Sequence, residues 1–257
     1  MPVPFDIRGG PSHPEAMLVS IIVPAFNEAK LLGRCLEHVR AASVAFAELG
    51  WETELIVCDN NSTDGTAEIA RTAGARVVFE PVNQISRARN RGAEVATGDW
   101  FIFVDADSYP HAGLFSAVAE AIRGGRAIGG GTTVQMDQAT PIPWVLSRVW
   151  NVVSRVLRWV AGSFIFCEAK AFRELGGFSE ELFASEEIDL SRRLKRLAGE
   201  RGRRVIILHR HPLVTSGRRS YLSTPTEYLQ LLVQTIRHRG ANLKSREACR
   251  LWYDGRR

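Results

Sequence analysis

Apolar and polar positions follow two repeating patterns over the first half of the chain. Short apolar runs typical of buried strands are separated by stretches in which apolar residues recur at helical spacing. The predicted strands are Leu18–Val23, Glu54–Cys58, Arg76–Glu80 and Trp100–Val104. The predicted helices are Glu28–Gly50, Thr66–Ala73, Ile85–Ala96 and Gly113–Arg126. This alternation predicts an α/β fold with a mostly parallel central sheet flanked by helices.

Three polar clusters each follow directly on one of these strands. The clusters read VPAFNE, CDNNSTDGT and VDADS. Ligands of open α/β sheets bind outside the carboxyl ends of the strands, close to a switch in strand order. Clusters from three separate parts of the chain therefore predict one binding site at one edge of the sheet.

The pattern changes from Gln135 onward. An apolar, Trp-rich segment at Ile142–Val160 carries three arginines. The elements predicted after it are a strand at Phe164–Cys167, a helix at Ala169–Leu175, a last clear strand at Val205–Leu208 and a helix at Tyr228–His238. No internal repeat or linker-like stretch separates the parts. We therefore predict a single domain over 1–257 with two halves, 18–134 and 135–257.

Composition and charge are those of a soluble globular protein with a basic tail. Hydrophobic residues make up 45% of the 257 residues and charged residues 24%. From Arg192 to Arg257 there are 17 Lys and Arg against 4 Asp and Glu, although the net charge of the chain is only +5. The basic tail could face an anionic ligand, an anionic lipid surface or nucleic acid, and the alternative is a solvated basic surface. We expect no nucleic-acid partner.

The cysteines and the N-terminus predict the compartment. The 4 cysteines are scattered and none forms a CxxC pair, which indicates reduced, buried thiols rather than a structural zinc site. The N-terminus lacks the basic start and apolar run of a signal peptide. No stretch of about 18 uncharged apolar residues predicts a transmembrane helix. We expect a cytoplasmic protein that could lie peripherally at the inner face of the membrane.

Two aspartates, Asp105 and Asp107, end the fourth predicted strand. Carboxylates at the end of a buried strand are costly unless a cation pairs with them. Their hard oxygens suit Mg²⁺ or Mn²⁺, ions that often take one or two protein carboxylates plus phosphate oxygens. The alternative is a pair of turn aspartates that cap the next helix. Asp59, at the end of the second strand, could likewise accept a nucleobase N–H or serve a strand-to-helix turn.

Two arginine groups could bind an anion. Arg87, Arg89 and Arg91 alternate near the start of a predicted helix, so they point in different directions and at most two can serve one site. Arg218 and Arg219 lie in a glycine-containing loop. Their guanidinium groups suit diphosphate oxygens, and the alternative is a solvated loop.

An acidic cluster holds the candidates for a general base. Glu186, Glu187 and Asp189 precede several basic residues on a predicted helix. This order complements the helix dipole and needs no catalytic role. The alternative is that one carboxylate takes a proton from an attacking hydroxyl.

Taken in order, these motifs resemble glycosyltransferase family 2, whose members have the GT-A fold. The matching stretches run from Val19 to Leu194 and read SIIVPAFNE, LIVCDNNSTDGT, ISRARNRGAEVATGDWFIFVDADS, GSFIFCEAKAFRELGGFSE and SEEIDLSRRL. The resemblance implies an inverting transfer of a sugar from a nucleoside-diphosphate sugar to a hydroxyl acceptor. It makes 18–134 the Rossmann-like nucleotide-sugar-binding half and 135–257 the acceptor half.

The resemblance also assigns roles to residues. The implied donor-binding residues are Pro24, Phe26, Glu28, Asp59, Arg87 and Arg91, with Arg218 and Arg219 matched only weakly. Asp105 lies toward ribose or the metal, and Asp107 toward the metal, a divalent cation such as Mn²⁺ or Mg²⁺. Where the family has Glu-Asp, this chain has Glu186–Glu187. Glu187 takes the position of the base, with Glu186 and Asp189 as rivals.

Two alternatives to an active enzyme of this family follow from the sequence. The altered acidic motif suggests a nucleotide-sugar-binding relative that is inactive and serves as an interaction module. The second alternative is nucleotidyl transfer, whose enzymes usually carry a glycine-rich loop with a basic residue after the first strand. This chain reads PAFNEAK there, which argues against nucleotidyl transfer.

Two interpretations of the segment Ile142–Val160 also remain open. Arg148 and Arg155 are seven residues apart and share a helix face, with Arg158 three residues further along it. Such a helix could lie in a membrane interface beside a lipid-linked acceptor. The alternative, which amphipathic patterns more often indicate, is a helix packed over the acceptor cleft.

Overall fold

The computed structural model describes residues 17–138, 141–218 and 241–249. The strands are β1 Leu18–Ala25, β2 Glu52–Asp59, β3 Arg76–Phe79, β4 Trp100–Val104, β5 Ser108–Tyr109, β6 Ala127–Met136, β7 Phe164–Glu168 and β8 Arg204–Thr215. The α-helices are α1 Leu32–Ala47, α2 Thr66–Thr72, α3 Ile85–Val95, α4 Ala112–Arg123, α5 Pro141–Leu157, α6 Ala169–Glu174 and α7 Glu186–Glu200, and a 3₁₀ helix spans Ala241–Lys244. The helix predicted at Tyr228–His238 lies outside the described residues.

The strands form one sheet in the order β3-β2-β1-β4-β7-β6-β8-β5. β1 is parallel to β2 and β4, and β2 is parallel to β3. β7 is antiparallel to β4 and β6, whereas β8 is parallel to β6 and antiparallel to β5. The predicted α/β fold is confirmed, and its antiparallel pairs belong to the strands added after β4. Because β1 lies between β2 and β4, the strand order switches there, which is where a ligand site is expected.

Helices cover both faces of the sheet, and β4 contributes to both cores. Ile102 and Val104 pack into the core shared with α1 and α4. Phe101 and Phe103 point the other way, into the core shared with α3, α6 and α7. Two-sided burial of this kind is typical of the central strands of parallel sheets. The carboxyl end of β4 therefore leaves the core at the edge where the polar clusters meet.

β6 was not predicted, although its sequence AIGGGTTV is almost wholly buried. Glycine is depleted in strands, so a run of three glycines argues against a strand. Here close packing requires it: a Cβ added to Gly130 would lie 1.9 Å from the carbonyl oxygen of Ile206 on β8. The glycines thus allow β6 to approach its neighbours.

Most element ends differ from the prediction by one to a few residues, and three of the differences change the interpretation. α1 begins at Leu32 rather than Glu28, because residues 29–31 form a turn in which the N–H of Leu31 bonds to the carbonyl of Glu28. β8 continues to Thr215 through a polar stretch and Pro212, with an irregular register to β6. α5 ends at Leu157, so Arg158, at φ 53°, does not extend the face of Arg148 and Arg155.

Two further sequence-based expectations concern membrane-spanning helices and the cysteines. Within the described ranges, no helix combines the length and apolar character needed to cross a bilayer. All four cysteines are buried and unpaired, as predicted. Burial raises the pKa of each thiol, which keeps the thiols in their unreactive protonated form.

Candidate active site

A cavity of about 290 Å³ opens at the carboxyl ends of β1 and β4. Its walls come from the loops that follow β1, β2 and β4, from the start of α3, from the residues before β7 and from the start of α7. The lining residues include Pro24, Phe26, Glu28, Asn60, Arg89, Asp105, Asp107, Gly162, Ser185, Glu186 and Glu187. The predicted convergence of the polar clusters on one edge is confirmed.

The loop after β1 is fixed to the loop after β2. Asn27, at φ 52°, donates its N–H to Ser62 Oγ at 3.0 Å and accepts the Thr63 N–H at 2.8 Å. The Glu28 N–H donates to Thr66 Oγ1 at 2.8 Å. Ser62 and Thr63 therefore hold this neighbouring loop and do not cap α2, which begins without a side-chain cap. The two loops form one wall of the cavity.

Asp59 lies behind this wall. It is 8% exposed, and its Oδ1 accepts the Ser62 N–H at 3.0 Å. The next residue, Asn60, lines the cavity and accepts the Gln84 N–H just before α3. Of the four residues implied for a nucleoside pocket, Pro24, Phe26 and Glu28 line the cavity and Asp59 supports the loop beside it.

Arg89 connects three walls of the cavity. Its side chain is 1% exposed, and it donates to Glu186 Oε1 at 2.7 Å, to Asp105 Oδ1 at 3.0 Å and to the carbonyl of Gly162 at 2.7 Å. Gly162 approaches so closely that an added Cβ would lie 3.3 Å from the guanidinium. A buried guanidinium needs such partners, because an unpaired buried charge is strongly destabilising.

The arginines implied by the resemblance, Arg87 and Arg91, lie elsewhere. Arg87 donates to Glu80 at 3.1 Å and to Glu180 at 2.6 Å. Arg91 pairs with Glu94 on the surface of α3. Neither Arg87 nor Arg91 lines the cavity, and their implied role toward the donor stays a prediction. The helix places Arg89 at the cavity instead, because alternate residues on a helix point in different directions.

A sequence signal for Arg89 existed. The buried face of α3 consists of Ser86, Ala88, Arg89, Gly92 and Ala93. Arg89 thus lies within a stripe of small residues at helical spacing, whereas Arg87 and Arg91 fall outside it. An arginine on the inner face of a helix points to a buried charge partner.

Asp105 and Asp107 diverge at the end of β4. A turn, in which the Ser108 N–H bonds to the carbonyl of Asp105, directs Asp105 to Arg89. Asp107 Oδ2 instead lies 3.9 Å from Arg218. Neither aspartate caps the following helix, α4, whose first cap residue is His111 without a side-chain bond. The alternative of two capping aspartates is therefore wrong.

Arg218 enters the cavity edge from the loop after β8. It donates to Glu28 Oε1 at 2.9 Å and to Oε2 at 3.0 Å. The loop is positioned by the Ser216 N–H, which bonds to the carbonyl of Asp107, and by the Gly217 N–H, which bonds to Asp137. Arg219 lies outside the described residues.

The carboxylates at the end of β4 fit a divalent cation. In the part of the chain that the structure describes, no cluster of three or more His, Cys, Asp or Glu side chains forms a closed metal site. Asp105 and Asp107 line the same cavity and supply hard oxygen donors. Mg²⁺ sites commonly use one or two carboxylates and complete the shell with phosphate oxygens and water. The donor set suits a cation that binds together with a phosphate.

The three candidate bases occupy different environments. Glu186 is 5% exposed and pairs with Arg89, so its carboxylate is engaged. Asp189 pairs with Arg193 one turn along α7 and does not line the cavity. Glu187 lines the cavity next to Gly162. Glu186 lines the cavity too, but its carboxylate is engaged by Arg89, so Glu187 is the candidate for a base that we carry forward.

Burial raises the pKa of Glu187 to about 8, and the neighbouring charge of Glu186 adds to the effect. The Arg89 guanidinium acts in the opposite direction. A carboxyl group whose pKa lies near neutrality exchanges protons readily at physiological pH.

Both the sequence and the fold of the chain match known proteins. The family model "Glycosyl transferase family 2" matches residues 20–174, more than half of the chain. Glycosyltransferase AglE of Haloferax volcanii is 36% identical over 99 residues, which are 36% of this chain and 31% of AglE. The chain therefore matches less than a third of the length of that relative.

Two solved structures share the fold. S. aureus TarS 1–349 in complex with UDP-GlcNAc aligns with a TM-score of 0.61 and 20% identity, over 78% of this chain and 58% of that one. The mannosyltransferase PcManGT from Pyrobaculum calidifontis, in complex with GDP-Man and Mn²⁺, aligns with a TM-score of 0.60 and 19% identity, over 96% of this chain and 68% of that one. The fold is thus the GT-A fold of these transferases. Because the family model matches more than half of its residues, the chain belongs to glycosyl transferase family 2.

Proposed function

We propose that the chain transfers a sugar from a nucleoside-diphosphate sugar to a hydroxyl acceptor, with inversion at the anomeric carbon. The observation that carries the proposal is the bridge made by Arg89. It joins Asp105, at the end of β4, to Glu186, at the start of α7, so that acidic groups of two distant motifs face one cavity. A donor diphosphate and an acceptor hydroxyl could then meet between them.

The donor binds against the wall formed by the loops after β1 and β2. Pro24, Phe26 and Glu28 line this wall, and Asp59 holds its shape. TarS and PcManGT were solved with UDP-GlcNAc and GDP-Man respectively. These complexes support a nucleotide sugar as the donor class. Arg218, at the cavity edge, is placed to contact the diphosphate through its guanidinium.

Asp107 and Asp105 would hold a divalent cation, Mn²⁺ or Mg²⁺, as their oxygen donors and the Mn²⁺ in the PcManGT complex suggest. When bound, the cation neutralises the charge that develops on the leaving diphosphate. Arg89 keeps Asp105 oriented toward the cavity.

Glu187 acts as the general base. Its carboxylate takes the proton of the acceptor hydroxyl while the hydroxyl oxygen bonds to the anomeric carbon. The bond between that carbon and the diphosphate oxygen breaks on the opposite side, so the configuration inverts. The raised pKa of Glu187 makes it a stronger base than an ordinary carboxylate.

Calorimetry with nucleoside diphosphates and nucleotide sugars, with and without Mn²⁺, tests the donor class. We expect Mn²⁺-dependent binding of one nucleotide, lost in Asp107→Asn. Asp189→Asn, which removes a carboxylate outside the cavity, is the matched control and should bind normally. No binding of any nucleotide by the folded protein would contradict the proposal.

Transfer assays with the bound donor separate an enzyme from an inactive relative. A general base contributes about 10²–10⁴-fold to the rate, so Glu187→Gln should lose that much while still binding donor. Donor binding without transfer or hydrolysis across a wide acceptor panel would favour the nucleotide-sugar-binding module. That alternative rests on the glutamate found where the family has aspartate.

A further inference from the structure

α5 carries an apolar stripe that faces away from the protein. Val145, Val149, Val152 and Val156 are 50%, 54%, 61% and 74% exposed. Their spacing of four, three and four residues places them on one side of the helix. Trp144 lies at the N-terminal end and is 51% exposed. Contiguous exposed apolar surface of this kind marks an interaction site rather than ordinary surface composition.

The opposite side of α5 is fixed to the sheet. The side chain of Asn151 accepts the N–H of Val134 on β6 at 2.9 Å and donates to its carbonyl at 2.8 Å. Ser154 is fully buried and donates to the carbonyl of Trp159 at 2.6 Å. The two bonds between Asn151 and β6 set the rotation of the helix, and Ser154 on the same side is buried, so the valine stripe is held outward by the fold.

The charged residues on α5 and just after it are all positive. Arg148, Arg155 and Arg158 are exposed, and the guanidinium of Arg148 lies 5.0 Å from the ring of Trp144. The sequence between Asp137 and Glu168 contains no acidic residue. A partner with negative charge and an apolar interior complements both features. Arginines beside an apolar face can place their stems along it and their charges among anionic headgroups.

We propose that the valine stripe of α5 docks on an anionic phospholipid bilayer, with the helix lying in the interface and its arginines at the headgroups. The helix has 17 residues, and none of the helices described here is able to span a bilayer, so it lies on the membrane. Docking itself does not depend on the proposed function, whereas the inference about the acceptor rests on it.

The acceptor consequence follows from continuity between α5 and the cavity. The chain leaves α5 at Leu157, is buried at Val160 and reaches Gly162, which contacts Arg89 and lines the cavity. A docked α5 would therefore hold the cavity close to the membrane surface. If the chain is the transferase proposed above, its acceptor is carried by a lipid.

Vesicle co-sedimentation of the full chain tests docking. The probes are phosphatidylcholine vesicles with and without phosphatidylglycerol, at low and high salt. We expect binding only to the anionic vesicles, weakened by salt. The double substitution Val152→Glu and Val156→Glu should reduce binding about tenfold or more, because negative charge on the face that enters the bilayer opposes insertion. Val44→Glu, at a position on α1 that is 54% exposed, is the matched control and should bind normally.

Arg148→Gln with Arg155→Gln tests the electrostatic part. Each basic residue near an anionic surface contributes roughly fivefold, so the pair should lose at least about tenfold. Thermal melts establish that each variant is folded.

Three results would overturn the proposal. The first is that the wild type does not bind anionic vesicles at low salt. The second is that Val44→Glu loses as much binding as the double valine variant. The third is that the protein is a dimer by size-exclusion chromatography, and that the substitutions Val152→Glu and Val156→Glu dissociate the dimer without reducing vesicle binding. The last would make a second copy the occupant of the stripe. Nucleotide calorimetry without vesicles shows separately whether the proposed function stands.

Discussion

At the scale of single residues, Arg89 is the group on which the cavity depends most. It is the buried partner of Asp105 and Glu186, which come from two distant motifs of the chain. The sequence identified the arginine-rich helix but implied Arg87 and Arg91. The resemblance identified the motif but not which of its arginines faces inward. The small residues at helical spacing around Arg89 indicate that this arginine lies on the buried face of the helix.

We expect Arg89→Met to lower the free energy of unfolding by about 3 kcal/mol or more, because breaking a buried ion pair leaves a carboxylate without its partner. Arg91→Met is the control on the same helix. It removes a surface pair with Glu94 and should cost less than about 1 kcal/mol. Urea unfolding measures both, and similar losses for the two variants would contradict this account.

The carboxyl group of Glu187 should make stability depend on pH. Its pKa is raised from 4.5 to about 8 on folding, so between these values the folded state binds more protons than the unfolded state. This contribution to stability is fully present below pH 4.5 and is lost as the pH rises through about 8. Glu187→Gln removes the dependence.

We therefore expect Glu187→Gln to melt at a higher temperature than the wild type above pH 8, and the difference to shrink toward pH 5. Melting curves across this range, without metal or nucleotide, measure it. Asp189→Asn serves as the control, because its carboxylate pairs with Arg193 on α7. An unchanged difference across the pH range would rule out a raised pKa.

At the scale of elements, the apolar runs predicted β1 to β4 and the helices between them, with errors only at the ends. Two later strands were harder to predict for opposite reasons. β6 contains three glycines, which disfavour a strand but are required by its close packing against neighbouring strands. β8 runs through a polar stretch that contains Pro212, and proline is disfavoured inside a strand. In both strands, pairing within the sheet overrides local preference.

Gly130→Ala should destabilise the protein by about 1–3 kcal/mol, because the new methyl group would overlap the carbonyl of Ile206. Gly199→Ala on α7 is the matched control. A Cβ there meets no atom within 4 Å, and replacing a helical glycine gains up to about 1 kcal/mol. Urea unfolding gives both values, and a neutral Gly130→Ala would show that β6 and β8 can separate without cost.

At the scale of the whole molecule, two halves of the chain close one cavity. The division into 18–134 and 135–257 stays a prediction. The resemblance correctly implied the fold. It did not give the contact between Glu28 and Arg218, since the last third matched the family only weakly. Nor did it decide which way α5 faces, because the amphipathic pattern fits packing over a cleft as well as docking on a surface.

Arg218→Gln should weaken nucleoside-diphosphate binding by about tenfold or more, since hydrogen bonds to charged groups contribute about 1.5–3 kcal/mol. Arg210→Gln, an exposed position on β8, removes the same charge away from the cavity and should bind normally. Calorimetry compares the two variants. Equal weakening would mean that the overall basic charge, and not this contact, attracts the nucleotide.

The contact between Glu28 and Arg218 also bears on how the molecule is made. The two residues are 190 positions apart in the sequence. During synthesis on the ribosome, β1 to β4 emerge first and can pair locally, whereas Arg218 emerges only after β8. The cavity is therefore among the last parts of the described fold to be completed. A nascent chain stalled before β8 would hold Glu28 and both aspartates without the arginine that faces them.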